Sequence, residues 1–313
     1  MKAIIFTEKG RTAILEQPKP VCADDTMLLK TLYSGITNGT ERSVLMGGCY
    51  GGSFPNMAGY QLVSEVIELG REIARFNIGD IVYTGTFPGH VEYHLAKETD
   101  IIIKLPDGFD LEEAALLGVA SVPFHDACRG DVRFDDNVLV VGGGLIGQFA
   151  SQAAQAMGAK VTMADIDSGR LSIARNLGAD ETANTKEPGG MEKLREGKPY
   201  SVIFETSGAD VLGDVIGTGW GNGLIGYHGR LLMIGGRYDV SYSFSAGQST
   251  EFAIMHTDHF RQSDLEHVVR LVMKGRIKIR PLIKAVVNID NAVGIYDTLR
   301  DNPNELLGTV FKW

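Results

Sequence analysis

The 313-residue sequence lacks the features that mark membrane, secreted or nucleic-acid-binding proteins. It has no apolar run near the ~18 residues of a membrane-spanning helix. Its N-terminus carries only the short apolar stretch AIIF, so no signal peptide is expected. No basic run reaches five residues and the net charge is −9, which argues against nucleic acid and anionic membrane as partners. The three cysteines form no C-x-x-C pair, so we expect reduced thiols in a cytoplasmic protein.

The order of predicted strands and helices divides the chain into two domains. Residues 1–118 contain short strand-like runs between Gly, Asp and Pro turns, which is typical of a mainly β domain. Residues 119–260 form the second domain, where strands and helices alternate at the spacing of βαβ units and predict a doubly wound parallel sheet. Residues 261–313 are assigned to the first domain, so the parallel sheet is inserted between its two pieces. The fold class is therefore α/β.

Glycine is the residue in excess, with 39 of 313 residues against a typical ~7%. One cluster, Gly142-Gly143-Gly144-Leu145-Ile146-Gly147, follows a predicted strand and opens a predicted helix. In a dinucleotide-binding turn Gly142 would allow the tight turn, Gly144 the approach of a pyrophosphate, and Gly147 the packing of helix on strand. The backbone N–H groups of the helix start, including Leu145 and Ile146, would bind the phosphates.

An acidic residue and several strand ends complete the predicted cofactor site. Asp165 ends the next predicted strand and stands where a carboxylate holds the ribose hydroxyls. Because a carboxylate repels a 2′-phosphate, we expect NAD(H) rather than NADP(H). The carboxyl ends of two later parallel strands should also contact the cofactor, since such ends face the ligand crevice. The residues at those ends are Thr206, Ser207, Gly208, Gly235 and Arg237.

The whole chain resembles the medium-chain dehydrogenase/reductase superfamily, which includes the alcohol dehydrogenases. The segments that carry the resemblance are GDIVYTG, HVEYHLA and LPDGFDLEEAALLG, followed by the glycine turn. The resemblance implies a GroES-like catalytic domain, mainly β, completed by the C-terminal segment around a Rossmann insert. It also implies a small-molecule substrate and a homodimer.

The zinc-binding positions of that superfamily are altered in this chain. The resemblance places Thr37, Tyr60 and Gly118 where zinc-containing members have their three protein ligands. Tetrahedral zinc requires thiolate, imidazole or carboxylate, and none of the three supplies one. The four-cysteine lobe for a structural zinc is also missing. We therefore expect NAD(H) as cofactor and no zinc. The segments SGITNGTERSVLMG and FPNMAGYQ are most similar to the bacteriochlorophyllide a dehydrogenase branch, which is implied to oxidise a hydroxyethyl side chain with NAD.

Five residues are candidates for the chemistry that zinc would otherwise perform. Tyr60 stands where the metal-binding imidazole would point, and its alternative is a packing role at a strand start. Thr40 aligns with a proton-relaying hydroxyl if the turn has one inserted residue; otherwise it is a helix N-cap and Thr37 is nearest the metal position. His90 and His125 fall in segments that line the cleft in this family, and either is a proton relay or a structural histidine.

Three functions follow from these residues. The first is a zinc-free, NAD-dependent alcohol dehydrogenase acting on a sizeable hydroxylated substrate. The second is a quinone or enone reductase, although Asp165 counts against it because those enzymes often prefer NADPH. The third is a nucleotide-binding protein without turnover. The replacements at the metal positions are mostly polar, which favours a rebuilt catalytic site over a lost one.

Overall fold

The computed structural model describes all 313 residues, and its contacts separate the chain into two compact units. Unit 1 comprises residues 1–118, 261–266 and 279–313, and unit 2 comprises residues 119–260 and 267–278. The sequence assigned 261–313 as a whole to the first domain, whereas in the structure 267–278 packs with unit 2. Each unit is built around its own apolar core.

The segment 267–278 is tied to unit 2 by contacts that the hydrophobic pattern does not reveal. The ring centroids of His267 and Phe124 lie 5.9 Å apart. The Gln152 amide donates to the Lys278 carbonyl at 3.2 Å and accepts from the Lys278 N–H at 2.7 Å. A buried amide with both groups satisfied by one backbone residue fixes that residue in place.

The first 118 residues form seven strands and two helices. The strands are β1 (Lys2–Glu8), β2 (Arg11–Glu16), β3 (Met27–Gly35), β4 (Leu62–Leu69), β5 (Ile81–Thr84), β6 (Tyr93–Ala96) and β7 (Ile102–Lys104). The helices are α1 (Asn38–Met46) and α2 (Leu111–Ala114). The side chain of Asp110 caps α2 by accepting the N–H groups of Glu112 and Glu113.

Six strands and most of the helices follow, and they build the parallel α/β architecture of unit 2. The strands are β8 (Asn137–Val141), β9 (Lys160–Asp165), β10 (Glu181–Asn184), β11 (Tyr200–Glu205), β12 (Ile225–Met233) and β13 (Ala253–His256). The helices are α3 (Leu117–Arg129), which begins at the end of unit 1, α4 (Leu145–Ala156), α5 (Ser168–Asn176), α6 (Gly190–Gly197), α7 (Leu212–Val215), α8 (Phe244–Thr250) and α9 (Gln262–Met273).

The sheet of unit 2 is entirely parallel, with the order β10-β9-β8-β11-β12-β13. The order reverses between β8 and β11, so their carboxyl ends flank the switch point at which doubly wound sheets bind ligands. The predicted Rossmann sheet is therefore confirmed. The sequence missed two of its strands, β10 and β13, which are only four residues long.

The end of the chain returns to the sheet of unit 1. It consists of β14 (Ile283–Asn288), α10 (Ala292–Asp301) and β15 (Gly308–Lys312), with three short 3-10 helices at 280–282, 289–291 and 303–305. The sheet order is β14-β15-β3-β4-β5-β7, with β6 also paired to β3 and with β1 and β2 as a separate hairpin. The predicted completion of the mainly β domain by the C-terminal segment is confirmed.

The helices are short, and the cysteines form no disulfide. The helices contain between 4 and 13 residues, and none of them has the length and apolar character needed to cross a bilayer. Cys22, Cys49 and Cys128 are all free thiols in the structure.

Candidate active site

The glycine turn after β8 brings a helix start against a strand end. Gly142 has φ +102°, in the left-handed region that favours glycine. A Cβ at Gly147 would lie 1.8 Å from the Gly142 carbonyl oxygen, so α4 packs there without room for a side chain. Around Gly144 the space is open to 4 Å, and no side chain caps the helix. The first N–H groups of α4, on Leu145 and Ile146, therefore face an unobstructed position suited to an anion.

Asp165 ends β9 as predicted, and its carboxylate lies beside the glycine turn. One oxygen accepts the Gly143 N–H at 2.5 Å and the other accepts the Asp167 N–H at 2.8 Å. The side chain is buried. A carboxylate has about four acceptor positions, so capacity remains for the hydroxyl donors of a ribose. The turn, the open helix start and this acid together fit a dinucleotide, and the role of Asp165 stays a prediction.

The strand end that carries Thr206, Ser207 and Gly208 is organised by a residue that the sequence did not single out. Glu205 is the last residue of β11 and is completely buried. One of its oxygens accepts the Ser207 hydroxyl at 2.5 Å and the N–H groups of Ser207 and Gly208 at 2.9 and 3.1 Å. Its other oxygen is paired with the Arg237 guanidinium.

The two strand ends of the predicted cofactor site are in contact. A Cβ on Gly235 would lie 2.2 Å from the Gly208 nitrogen, so no side chain fits between them. The Thr206 hydroxyl donates to the carbonyls of Val141 and Gly142, both at 2.9 Å. Thr206 thus supports the glycine turn itself. A fully buried glutamate needs a cationic partner. Glu205 directly follows the apolar run SVIF, and this position in the sequence could have indicated the pair with Arg237.

In unit 1 the structure brings the three altered zinc positions together. Gln61 donates its amide N–H to the Thr37 hydroxyl at 3.1 Å and to the Gly35 carbonyl at 3.2 Å. A Cβ on Gly118 would lie 2.9 Å from Cε2 of Tyr60 and 3.0 Å from Cγ of Gln61. Thr37, Tyr60 and Gly118 are therefore neighbours around Gln61, as the resemblance implied.

The hydroxyl of Tyr83 occupies the space that a ligand on residue 118 would need. It lies 2.3 Å from the position of a Gly118 Cβ. Tyr83 is fully buried, and its hydroxyl has no hydrogen bond of normal geometry. Burial, with Tyr60 beside it, raises the pKa of Tyr83 well above the ordinary value of a phenol. Tyr83 therefore stays protonated, and its side chain fills the space beside Gly118.

The side chains at these positions do not fit a catalytic zinc. They offer a threonine hydroxyl, a phenol and a glutamine amide, where zinc sites use thiolate, imidazole or carboxylate. No group of three or more His, Cys, Asp or Glu residues in the structure is arranged to hold a metal ion. The donor set and the space filled by Tyr83 both argue against the metal.

Introducing a side chain at Gly118 should lower stability through Tyr83. We expect Gly118→Ala to cost about 1–3 kcal/mol, the usual range for overpacking a core. Tyr83→Phe alone should be nearly neutral because the lost hydroxyl has no hydrogen bond. The double variant should recover part of the loss, since the closest clash, at 2.3 Å, disappears. Thermal unfolding midpoints of the four proteins measure this coupling. Strictly additive changes would show that Tyr83 does not fill the site.

His90 lies in the same unit, and both of its ring nitrogens have partners. Nε2 lies 3.1 Å from a carboxylate oxygen of Glu41, and Nδ1 lies 2.8 Å from the Ser34 hydroxyl oxygen. The ring is completely buried. Arg42, the neighbour of Glu41 in the sequence, donates to the carbonyls of Leu299 and Arg300 at the end of α10. A relay through His90 would have to run through this buried cluster.

The remaining candidates are more dispersed. Thr40 is the third residue of α1, whose N-cap is Thr37, so the reading of Thr40 as the N-cap is wrong. The helix begins earlier, at Asn38, so Thr40 lies inside its first turn. His125 is buried on α3 and belongs to unit 2.

The sequence is similar to known dehydrogenases. A family profile described as zinc-binding dehydrogenase matches residues 146–273. Sorbitol dehydrogenase 1 of Saccharomyces cerevisiae is 26% identical over an alignment that covers 98% of this chain and 97% of that protein. The match to a full-length relative spans both compact units.

Two solved structures share the architecture. Galactitol-1-phosphate dehydrogenase from Escherichia coli superposes with a TM-score of 0.87 at 20% identity, covering all of both chains. A short-chain alcohol dehydrogenase from Escherichia coli CFT073, complexed with NADH, superposes with a TM-score of 0.86 at 18% identity, covering 100% of this chain and 99% of that one. At these identities the likeness establishes the fold.

Proposed function

We propose that this chain is a member of the medium-chain zinc-binding dehydrogenase superfamily that interconverts an alcohol and a carbonyl with NAD(H) and without zinc. The observation that carries the proposal is the group of side chains at the former ligand positions. Thr37 and Gln61 are hydrogen-bonded to each other, Tyr60 lies beside them, and Tyr83 fills the remaining space. This is a packed polar site, which supports rebuilt chemistry rather than decay.

The cofactor would be held entirely by unit 2. Its phosphates suit the open start of α4 next to Gly144, and its adenosine ribose suits Asp165. The contacting ends of β11 and β12, braced by Glu205 and Arg237, would hold the nicotinamide half. Once bound, the nicotinamide supplies the hydride acceptor or donor, and the protein supplies positioning and electrostatics.

Tyr60 is the residue that we assign to the substrate oxygen. Oxidation of an alcohol needs a group that binds the hydroxyl and takes over its proton. A phenol of ordinary pKa ~10 is a donor at neutral pH, so in the reductive direction it can protonate the forming alkoxide directly. The Gln61 amide donates to the Thr37 hydroxyl and to the Gly35 carbonyl, so both of its N–H groups are used within the site.

The surroundings of Tyr60 favour a substrate with an apolar body. The ring of Phe87 contacts the Tyr60 ring at a centroid distance of 5.5 Å, yet Phe87 is 71% exposed. Met57 is also exposed and lies against the backbone of Gly89, two residues beyond Phe87. Exposed apolar side chains next to a reactive group are typical of ligand contacts. We therefore propose a sizeable hydroxylated substrate.

A substrate panel tests this function directly. Secondary alcohols with apolar bodies of increasing size, the polyols sorbitol and xylitol, and enones would each be assayed with NAD(H) and NADP(H) at the nicotinamide absorbance. We expect turnover of apolar alcohols with NAD, and weaker or no turnover of polyols. Turnover of enones alone would assign a reductase of conjugated double bonds. No turnover with any compound, despite cofactor binding, would leave a nucleotide-binding protein.

Metal content is tested separately from turnover. Purified protein, with and without zinc soaking followed by dialysis, would be subjected to elemental analysis and assayed in the presence of a chelator. We expect no stoichiometric metal and no loss of activity to the chelator, because the donor set at Thr37, Tyr60 and Gly118 does not suit zinc. One tightly held zinc per chain would overturn the zinc-independent part of the proposal.

Cofactor choice should depend on Asp165. We expect Asp165→Ser to weaken NADH binding roughly 10- to 100-fold relative to NADPH, since a hydrogen bond to a charged group contributes about 1.5–3 kcal/mol. The control is Asp167→Ser, because Asp167 caps α5 and serine can cap in its place. The measurement is the ratio of the two dissociation constants from fluorescence titration. An unchanged ratio in Asp165→Ser would remove this residue from cofactor recognition.

A further inference from the structure

Unit 1 contains a buried polar cluster that no step of the proposed reaction uses. It consists of five residues, which we call the Glu41 cluster: Ser34, Glu41, His90, Tyr296 and Trp313. The Glu41 side chain is 2% exposed and His90 is completely buried. A charge in such a position is costly unless hydrogen bonds surround it, and this cluster provides them.

The carboxylate of Glu41 accepts three hydrogen bonds. One oxygen accepts the backbone N–H of Thr37 at 2.7 Å. The other accepts the Tyr296 hydroxyl at 2.5 Å and lies 3.1 Å from Nε2 of His90. Burial and the neighbouring carboxylate raise the pKa of Tyr296 well above its ordinary value, so its proton remains available for this bond.

The other ring nitrogen of His90 connects the cluster to Ser34 and Trp313. Nδ1 of His90 lies 2.8 Å from the Ser34 oxygen, which also accepts the indole N–H of Trp313 at 2.9 Å. Since the Ser34 oxygen already accepts from Trp313, its own O–H is free to donate to Nδ1. With a proton on Nε2 donated to Glu41, each of these groups has a hydrogen-bond partner.

The cluster supports two of the three segments that carry altered zinc positions. On one side Glu41 fixes the backbone of Thr37 directly. On the other, the His90 ring packs against Gly59, where a Cβ would lie 2.7 Å from Cδ2 of the ring. Gly59 immediately precedes Tyr60, and its backbone is further held by the Gly89 N–H at 3.1 Å. The Glu41 carboxylate thus contacts the Thr37 backbone directly and supports Tyr60 indirectly, through His90 and Gly59.

We propose that Glu41, held by His90 and Tyr296, is a positioning residue that fixes the Thr37 backbone and sets the orientation of Tyr60 toward the substrate oxygen. The proposal rests on the function proposed above, because that function assigns Tyr60 to the substrate oxygen. A merely stabilising cluster would not need a charge, since an apolar group of similar volume stabilises a core as well or better. The Glu41 carboxylate accepts the backbone N–H of Thr37, so it fixes the position of that part of the site.

The test compares Glu41→Gln with two other variants of unit 1. Glutamine keeps the shape but replaces an acceptor with a donor, so one of the three incoming donors loses its partner. Tyr296→Phe removes one donor and is the milder change, which keeps the test open if Glu41→Gln does not fold. The control is His94→Gln: His94 is also a buried histidine, its Nε2 lies 3.2 Å from the Thr84 hydroxyl, and it has no contact with the cluster.

Three quantities are measured for each protein: kcat and KM for the best alcohol of the panel, the dissociation constant of NADH, and amide hydrogen exchange of the peptides that contain Thr37 and Tyr60. We expect Glu41→Gln to lower kcat roughly 10- to 100-fold, the scale of a misplaced catalytic group, with NADH binding unchanged and faster exchange at both peptides. Tyr296→Phe should show the same pattern more weakly. His94→Gln should keep wild-type kcat and exchange in both peptides.

The exchange measurement separates failure of this inference from failure of the proposed function. If wild-type protein turns over no alcohol but Glu41→Gln still loosens both peptides, the positioning role stands and the proposed function is wrong. If Glu41→Gln and Tyr296→Phe keep wild-type exchange and kcat while their unfolding midpoints fall, the cluster contributes stability alone and the inference is overturned.

Discussion

Replacing Tyr60 with phenylalanine is expected to lower turnover by roughly 10²–10⁴-fold, the range for removing a positioned acid–base group or transition-state donor. Folding and NADH binding should stay close to wild type, because the ring that contacts Phe87 and packs beside Gly118 is retained. The loss should fall on kcat more than on KM if the hydroxyl acts mainly in the transition state. Steady-state kinetics beside a cofactor titration measures both.

The structure offers a matched control for this variant. Tyr83→Phe removes a second phenolic hydroxyl from the same group of side chains, at a residue that is fully buried. We expect it to keep turnover within a few-fold of wild type. If Tyr60→Phe turns over normally, Tyr60 is a packing residue, and the proton chemistry moves to Thr40, His90 or His125. A large loss in Tyr83→Phe with none in Tyr60→Phe would exchange the roles of the two tyrosines.

Two alanine substitutions in the glycine turn should affect different properties, one the stability of unit 2 and the other the binding of NADH. Gly147→Ala places a methyl group 1.8 Å from the Gly142 carbonyl oxygen, so the backbone must move. We expect a loss of about 3 kcal/mol or more in stability of unit 2. Gly144→Ala meets no atom within 4 Å and has φ −66°, so the fold should be unaffected. Its methyl group lies where phosphates approach, and NADH binding should weaken at least about tenfold.

Unfolding midpoints and NADH titration of both variants distinguish the two expectations. Gly144→Ala provides the matched substitution three residues away, with the same added atoms. A Gly147→Ala protein with a wild-type midpoint would contradict the close packing of α4 on the turn. Wild-type NADH affinity in Gly144→Ala would mean that the phosphates do not approach this helix start.

Local sequence chemistry was sufficient to predict the strand, turn and helix on which the proposed cofactor site is built. A strand, a glycine turn and a helix follow one another within residues 137–156, and Asp165 ends the next strand, so every relation is set by neighbours along the chain. The same holds for most strands of unit 1, where period-two alternation and turn residues mark the bounds. The four-residue strands β10 and β13 were missed because so short a run carries no periodic signal.

The catalytic half depends on contacts between distant segments, and there the sequence predicted less. Glu41 meets His90 across 49 residues and Tyr296 across 255. Neither pairing has a local sequence pattern. Tyr83 was overlooked because it belongs to an ordinary strand, and only the fold shows its hydroxyl next to Gly118. The Glu205–Arg237 pair was missed for the same reason.

The insertion of unit 2 within unit 1 has a consequence for synthesis on the ribosome. The edge of β3 at residues 33–35 pairs only with β15, at residues 310–312. At the usual 5–20 residues per second, that edge waits roughly 15 s to a minute for its partner. Most of unit 2 comes from one continuous segment and can fold meanwhile. Because an unpaired strand edge is a template for aggregation, we expect the nascent unit 1, rather than unit 2, to depend on chaperones.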